Sequence, residues 1–234
     1  MRALLRARRR ELLGLKRLSV VIPALDAEAL LPACLEALGE VGEIVLVDGG
    51  SRDRTVPIAE AAGGRVIFSP RGRGLQLRAG GEAARGEWLL FLHADTRLGP
   101  GWREAAAAHI GGSPDQAACF RFRLDDPTRQ ARWIERGVAS RVRLLGLPYG
   151  DQGLLISRAL YARLGGYRPL PLFEDVDLVR RIGRRRLSVL PADAVTSAER
   201  WRRDGWWRRS ARNLLYLALY RAGVPPERIA RRYD

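Results

Sequence analysis

His93-Ala94-Asp95 closes the apolar run Trp88-Leu89-Leu90-Phe91-Leu92. A carboxylate aimed out of the end of a buried strand can hold a hard divalent ion, shared with substrate phosphates, and the imidazole can add a nitrogen ligand or a hydrogen bond. Asp95 serves equally well as a cap on the turn that follows, and from this stretch alone both roles stand. Asp48 ends a second apolar run, Ile44-Val45-Leu46-Val47, and is followed by Gly49-Gly50-Ser51. A carboxylate there can accept hydrogen bonds from a nucleobase or ribose, and the glycines let the backbone approach a ligand closely; a plain turn explains the same residues. Arg71 and Arg73 stand among glycines in SPRGRG, where guanidinium groups suit phosphate oxygens. No Gly-Lys-Ser/Thr follows, so this is not a phosphate-cradling loop of the Walker type. Glu174 and Asp175, in FEDVDL, are adjacent acids at the start of a predicted helix. The helix dipole stabilises acids in that position, but adjacent side chains face different ways, and one of them can act as a general base toward a hydroxyl nucleophile. ERWRRDGWW sets Trp201, Trp206 and Trp207 among arginines. That mixture suits stacking on sugars or bases, a lipid headgroup layer, or packing beneath the last helix.

The elements that must position these residues can be read from periodicity. Leu18–Ile22 is a buried strand ended by Pro23, and AEALLPACLEALG has helical spacing closed by Gly39. Glu43–Val47 is a second strand, followed by a helix through Ala62 that Ser51 or Asp53 can cap. Arg65–Phe68 is a third strand, Gly74–Arg85 a helix, and Glu87–Leu92 a fourth strand. Strand and helix alternate, which implies right-handed crossovers and a parallel sheet. Ligands bind outside the carboxyl ends of such strands. Pro23, Asp48, the Ser69–Arg73 loop and His93–Asp95 all fall at those ends. The second half reads as a helix over 101–110, an alternating strand Ala117–Leu124, a basic helix over 128–145, and a loop, short strand and helix through YGDQGLLISRALYARLGGY. The FEDVDL helix and an amphipathic helix from Ser210 to Arg221 complete it.

The chain has 234 residues, enough for one large α/β domain. It has 47% hydrophobic residues and a formal net charge of +15, mostly from arginine. Anionic partners follow from that charge: nucleotide phosphates, anionic lipid or nucleic acid. An arginine-rich composition is also common in GC-rich genomes, so charge alone selects no function. Cys34 and Cys119 sit in apolar surroundings without metal-ligand spacing and read as buried thiols of a reducing compartment. The basic start, MRALLRARRRELLGLKR, has too short and broken an apolar stretch for a secretory signal, and no run approaches a spanning helix. A cytoplasmic protein is expected, with peripheral contact at the inner face of the membrane left open.

Taken in order, VVIPALDAE, IVLVDGGSRDRT, GRGLQLRAGGEAARGEWLLFLHADT, LGGY and FEDVDL resemble the family 2 glycosyltransferases, which have the GT-A fold. The resemblance covers roughly residues 18 to 185. The GDQG segment and the tail TSAERWRRDGWWRRSARNLL look like a bacterial branch associated with radical-SAM/selenium-domain genes. The fold implied is α/β, Rossmann-like, with a mostly parallel central sheet flanked by helices and a helical C-terminal extension. The expected organisation is a basic arm at 1–17, a single transferase domain at 18–200 (nucleotide-binding half 18–100, acceptor-binding half 101–200), and the extension at 201–234. The resemblance implies a nucleotide-diphosphate sugar donor, a divalent Mn²⁺ or Mg²⁺, inversion at the anomeric carbon and a hydroxyl acceptor, a lipid-linked one included. By this likeness Pro23, Asp26 and Asp48 line the nucleotide pocket, with Arg73 and His93 near the donor. Asp95 is the last residue of the metal motif, and Asp175, beside Glu174, is the base. Asp151 and Gln152 of GDQG, with Arg200 and Trp201, are placed near diphosphate or acceptor. Several positions depart from the family pattern. Asp26 stands for Asn, Ala27 for Glu, Gly49 for a second Asp, His93 for the first Asp of the metal motif, and Ser197 for the Gln of processive members.

Two other classes fit parts of the pattern. A nucleotidyltransferase would use a similar sheet and metal, but PALDAEALL is not the Gly-rich basic loop such enzymes carry after the first strand. A catalytically inactive, basic nucleic-acid- or anion-binding protein fits the charge and the tryptophans, and predicts binding that falls steeply with salt. Nucleic acid is not expected as a partner of the transferase.

Overall fold

The computed structural model describes residues 11–232. Most of the expected basic arm, 1–10, lies outside them. Residues 11–16 are helical, and Leu15 is buried in the main core, so the described part of that stretch belongs to the domain.

One eight-stranded sheet runs through the molecule in the order β3-β2-β1-β4-β7-β6-β8-β5. Its strands are β1 (Leu18–Ala24), β2 (Glu43–Asp48), β3 (Arg65–Phe68), β4 (Trp88–Phe91), β5 (Thr96–Leu98), β6 (Ala117–Leu124), β7 (Leu154–Ser157) and β8 (Leu187–Thr196). β3, β2, β1 and β4 are mutually parallel. β7 then inserts antiparallel between β4 and β6, β8 pairs parallel with β6, and β5 closes the edge antiparallel to β8. The helices are α1 (Leu31–Leu38), α2 (Thr55–Ala61), α3 (Arg73–Ala83), α4 (Trp102–Ile110), α5 (Arg129–Leu145), α6 (Arg158–Arg163), α7 (Glu174–Ile182), α8 (Glu199–Asp204), α9 (Trp206–Arg221) and α10 (Pro226–Ala230).

Strand alternation sorts the core into two faces. Val20, Ile22, Leu46, Leu90 and Leu155 pack with α1 and α4 on one side. Val21, Val45, Val47, Leu89 and Ile156 pack with α3, α6 and α7 on the other. The strand expected to end at Pro23 continues to Ala24. β4 pairs with β1 only as far as Val21, so the missing proline N–H interrupts no ladder bond on that side.

α3 lies unusually close to the sheet because its middle is Gly80-Gly81. A Cβ on Gly80 would sit 2.3 Å from Val21 Cγ1 and 2.7 Å from Val47 Cγ2. Gly80→Ala should therefore destabilise the fold by about 1–3 kcal/mol through overpacking, read as a lower urea midpoint at unchanged m-value.

Candidate active site

Two loops, at the carboxyl ends of β1 and β2, form one rim. Gly49 N donates to Ala24 O at 2.9 Å, joining the ends of β1 and β2. Asp26, held at φ +49°, accepts from Arg52 N at 2.8 Å, and its own N–H donates to Ser51 Oγ. Asp48 is buried, and its carboxylate accepts from Gly50 N at 2.9 Å and from Ser51 N at 3.0 Å. It thus organises the turn that the sequence also allowed. Asp53, the anticipated cap, accepts from Thr55 N at 2.9 Å and from Glu28 N at 2.9 Å.

Gln76, on α3, went unnoticed in the sequence. It is buried, and its Nε2 donates to Ala24 O and Val47 O at 2.8 and 2.9 Å, satisfying two strand-end carbonyls at once. It also crowds Gly49: a Cβ there would lie 3.0 Å from Gln76 Nε2, so a larger residue at 49 would press on the Gln76 amide.

A cavity of about 370 Å³ opens beyond the end of β4. Arg73, His93, Asp95, Asp151, Asp175 and Arg200 all line it, with Trp201. The structure therefore brings seven of the residues singled out in the sequence around one space. Pro23, Asp26 and Asp48 lie apart from it in the β1–β2 rim. Gln152 is also outside: it is buried, and its Nε2 donates to Phe120 O at 2.9 Å, so it fastens the Gly150–Gln152 turn to β6. Glu174 lies beneath the cavity wall, fully buried, with Arg73 Nε donating to Oε1 and Oε2 unpartnered.

Asp175 is aimed by its neighbours. Phe173, two residues before it, has a left-handed backbone (φ +63°) and stacks on Tyr220 at 4.8 Å. A bulky residue in that conformation is strained and persists only when packing holds it. Asp175 Oδ2 accepts from Gly150 N at 2.8 Å and Oδ1 from Val176 N at 2.7 Å, and the carboxylate sits in the first turn of α7, where the helix dipole favours its charge. Asp95 Oδ1 accepts from Thr96 Oγ1 at 3.2 Å and Thr196 Oγ1 at 3.3 Å. His93 presses on Gly150, where a Cβ would be 2.5 Å from its Nε2.

The electrostatics follow from burial. His93 is lowered to about 4 by burial and by Arg73, against the pull of Asp95 and Asp175, so its ring is neutral at pH 7 and free to act as a donor or a ligand. Burial pushes the Asp151 carboxyl up to about 7; Asp175 and Asp95 add to the shift, while Arg141 and Arg73 oppose it. Its Oδ1 is buried without a protein partner. Burial also pushes Glu174 up, with Arg73 opposing.

Among the described residues no three His, Cys, Asp or Glu side chains cluster closely enough to hold an ion by themselves. What the cavity offers is a set of carboxylates with one orphaned oxygen and a neutral imidazole. That chemistry fits a hard divalent cation whose remaining ligands come from a substrate. Arg141 and Tyr149, which the sequence reading passed over, complete the wall, with Arg141 lying over the Tyr149 ring at 3.5 Å. The available signal was an arginine among Ile134, Val138 and Val142, the apolar positions of α5.

The family described as "Glycosyl transferase family 2" matches residues 19–164. A PGL/p-HBAD biosynthesis glycosyltransferase of Mycobacterium bovis is 41% identical over 91 residues, 34% of this chain and 36% of the relative. An undecaprenyl-phosphate 4-deoxy-4-formamido-L-arabinose transferase of Pseudomonas aeruginosa is 33% identical over 155 residues, 59% of this chain and 45% of the relative. The matched stretches thus span less than half of these relatives. Among solved structures, glucosyl-3-phosphoglycerate synthase from Mycobacterium tuberculosis, bound to Mn²⁺, UDP and glucosyl-3-phosphoglycerate, superposes with a TM-score of 0.54 at 22% identity, covering 76% of this chain and 70% of that one. S. aureus TarS bound to UDP gives 0.59 at 19% identity, covering 78% and 61%.

A pH test isolates Asp151. Its folded pKa of about 7 lies above the ordinary 3.8, so between those values the native state holds more protons than the unfolded one. Stability therefore falls as pH rises through that window. Asp151→Asn should melt higher than the parent chain at about pH 8, by on the order of 2–4 kcal/mol, and the difference should shrink toward about pH 4 in calorimetric scans.

Proposed function

The chain belongs to glycosyl transferase family 2, and on that premise we propose that it transfers a sugar from a nucleotide-diphosphate donor to a hydroxyl acceptor, with inversion at the anomeric carbon. The observation that carries this reading is the convergence of Asp95, Asp151, Asp175 and neutral His93 on one cavity beside the carboxyl end of β4. The UDP complexes of the structural neighbours support the donor class.

The β1–β2 rim, with Pro23, Asp26, Asp48 and Gln76, would receive the nucleotide, and the cavity beyond β4 the sugar, diphosphate and acceptor. Residues 18–100 then serve the donor, and 101–200 with the C-terminal helices serve the acceptor. Asp175 accepts the proton of the acceptor hydroxyl. The oxygen so freed attacks the anomeric carbon on the face opposite the diphosphate; the new C–O bond forms as the bond to the diphosphate oxygen breaks, which inverts the centre. Gly150 N–H and the start of α7 hold Asp175 in place for this. Arg200, exposed on the cavity edge, and Arg73, anchored on Glu174, present positive charge toward the diphosphate. Asp95, with His93 or Asp151 beside it, would hold a Mn²⁺ or Mg²⁺ together with the diphosphate, and the ion would neutralise charge on the leaving group.

The acceptor end of the cavity is apolar, with Ile134, Val138, Leu172 and Phe173 in its wall. An acceptor with a hydrocarbon portion suits that wall, and the undecaprenyl-phosphate transferase relative supports a lipid-linked one.

Asp175→Asn should lower kcat by roughly 10²–10⁴-fold while leaving the donor's binding constant within about twofold. Asp95→Ala should instead abolish the metal-dependent part of donor binding. Initial-rate assays read kcat, and thermal-shift titration with UDP-, GDP-, CMP- and dTDP-sugars, with and without Mn²⁺, reads donor binding in both variants. No shift from any donor would remove the reading.

A further inference from the structure

The mouth of the active-site cavity is built from two helices that leave large apolar side chains in solvent. Trp133 on α5 and Trp207 and Leu214 on α9 line the cavity and are 60%, 62% and 60% exposed, and Leu215 beside them is 56% exposed. Leu144 and Leu145 are also exposed, at the end of α5. Arg129, Trp133, Arg136 and Leu144 follow helical spacing along one face of α5, as Trp207, Leu214 and Arg221 do along α9.

The exposed charge on these two helices has one sign. α9 contains four arginines and no acid. The single acid of α5, Glu135, is buried and paired with Arg123 and Arg132. Arg129, Arg136, Arg143, Arg208 and Arg221 are exposed and make no ion pair with a described residue, and Arg136 lies over the Trp133 ring at 5.6 Å. Exposed tryptophan and leucine ringed by unpaired arginine is the composition of a helix face that lies in a lipid headgroup layer. No helix among the described residues is long and apolar enough to cross a membrane, so contact through this face would be peripheral.

We infer that the α5–α9 face docks on an anionic bilayer, with Trp133, Trp207, Leu214 and Leu215 entering the headgroup–acyl boundary and the arginines pairing with lipid phosphates. The cavity then opens directly into the lipid, and an amphiphilic acceptor reaches Asp175 without leaving the membrane. This orientation rests on the transferase reading for its purpose, but not for its test.

The test is co-sedimentation of the purified full chain with vesicles of phosphatidylglycerol and phosphatidylcholine, beside pure phosphatidylcholine vesicles. Binding is expected only to the anionic vesicles. The half-saturating lipid concentration should rise by about tenfold or more for the triple variant Trp133→Ser, Trp207→Ser, Leu214→Ser. The side chains are exposed, so circular dichroism should show an unchanged fold. Arg208→Glu with Arg129→Glu should weaken binding by a similar factor and make what remains less sensitive to salt. Brominated lipid should quench tryptophan emission of the parent chain and not of the triple variant. Absence of binding at low salt overturns the inference. Binding that survives the apolar variant, or that duplex DNA competes away while the apolar variant behaves as the parent, also overturns it. The donor thermal shift is measured on the same preparations. No vesicle binding by the parent chain with its donor shift intact removes the docking face alone, and vesicle binding by the parent chain without a donor shift removes the transferase reading alone.

Discussion

The ion pair between Arg73 and Glu174 joins residues 101 positions apart and fixes where the two halves of the site meet. Arg73 is the first residue of α3, at the end of the glycine-rich loop after β3; Glu174 is the first residue of α7. A fully buried carboxylate without a partner is severely unfavourable, and breaking such a pair costs more than forming it yields. The chain therefore has to bring the loop after β3 onto the start of α7, and in doing so it sets Asp175 at the cavity wall. Gly74 allows the approach: a Cβ there would lie 2.5 Å from Leu170 O. The acidic pair is divided in this way, with Glu174 holding the scaffold and Asp175 facing the cavity.

Charge in the cavity is balanced rather than uniform. Asp95, Asp151 and Asp175 face Arg73, Arg141, Arg200 and Arg209 across one space. Burial works against the ionised form of Asp151 and the protonated form of His93 together. A site in that condition is poised to accept a cation and a polyanion as a pair, since each relieves the repulsion that the other would leave. The enrichment in arginine, which the composition alone could not interpret, thus falls in at least two local settings: guanidinium groups lining the cavity and a cationic border at its mouth.

How far the sequence could be read depends on which forces shaped each part. β1, β2 and β4 lie largely buried in the sheet and showed as near-continuous apolar runs, and β3, a half-buried edge strand, showed by its place between glycine-containing turns. β5 and β8 were not seen. β8 carries Pro191, and its pairing with β6 slips between Cys119↔Val189 and Arg121↔Asp193, so that extra residues of β8 bulge opposite Phe120. A proline tolerated only because of a bulge breaks the alternation by which an isolated sequence reveals a strand. At the site, residues at strand ends and helix starts were legible because their chemistry is out of place beside apolar runs: Asp95, His93 and Asp175 are of this kind. Arg141, Gln76 and Thr196 were not legible, because their roles arise from long-range packing. Asp48 and Gln152 show the converse, polar residues that stood out in the sequence and whose side chains hold turns together.

The left-handed backbone of Phe173 links the last part of the chain to the reacting centre. Phe173 is clamped by Tyr220 and shares its apolar cluster with Leu217 and Ile229 of the C-terminal helices. When those helices open locally, Phe173 loses the packing that holds its strained conformation, and the start of α7 relaxes with it. The position of Asp175 therefore depends on the opening free energy of a peripheral helical unit, and such units open more readily than core strands. The amide protons of α9 and the position of Asp175 belong to one exchange event, and on warming the start of α7 would loosen while the β-sheet is still intact.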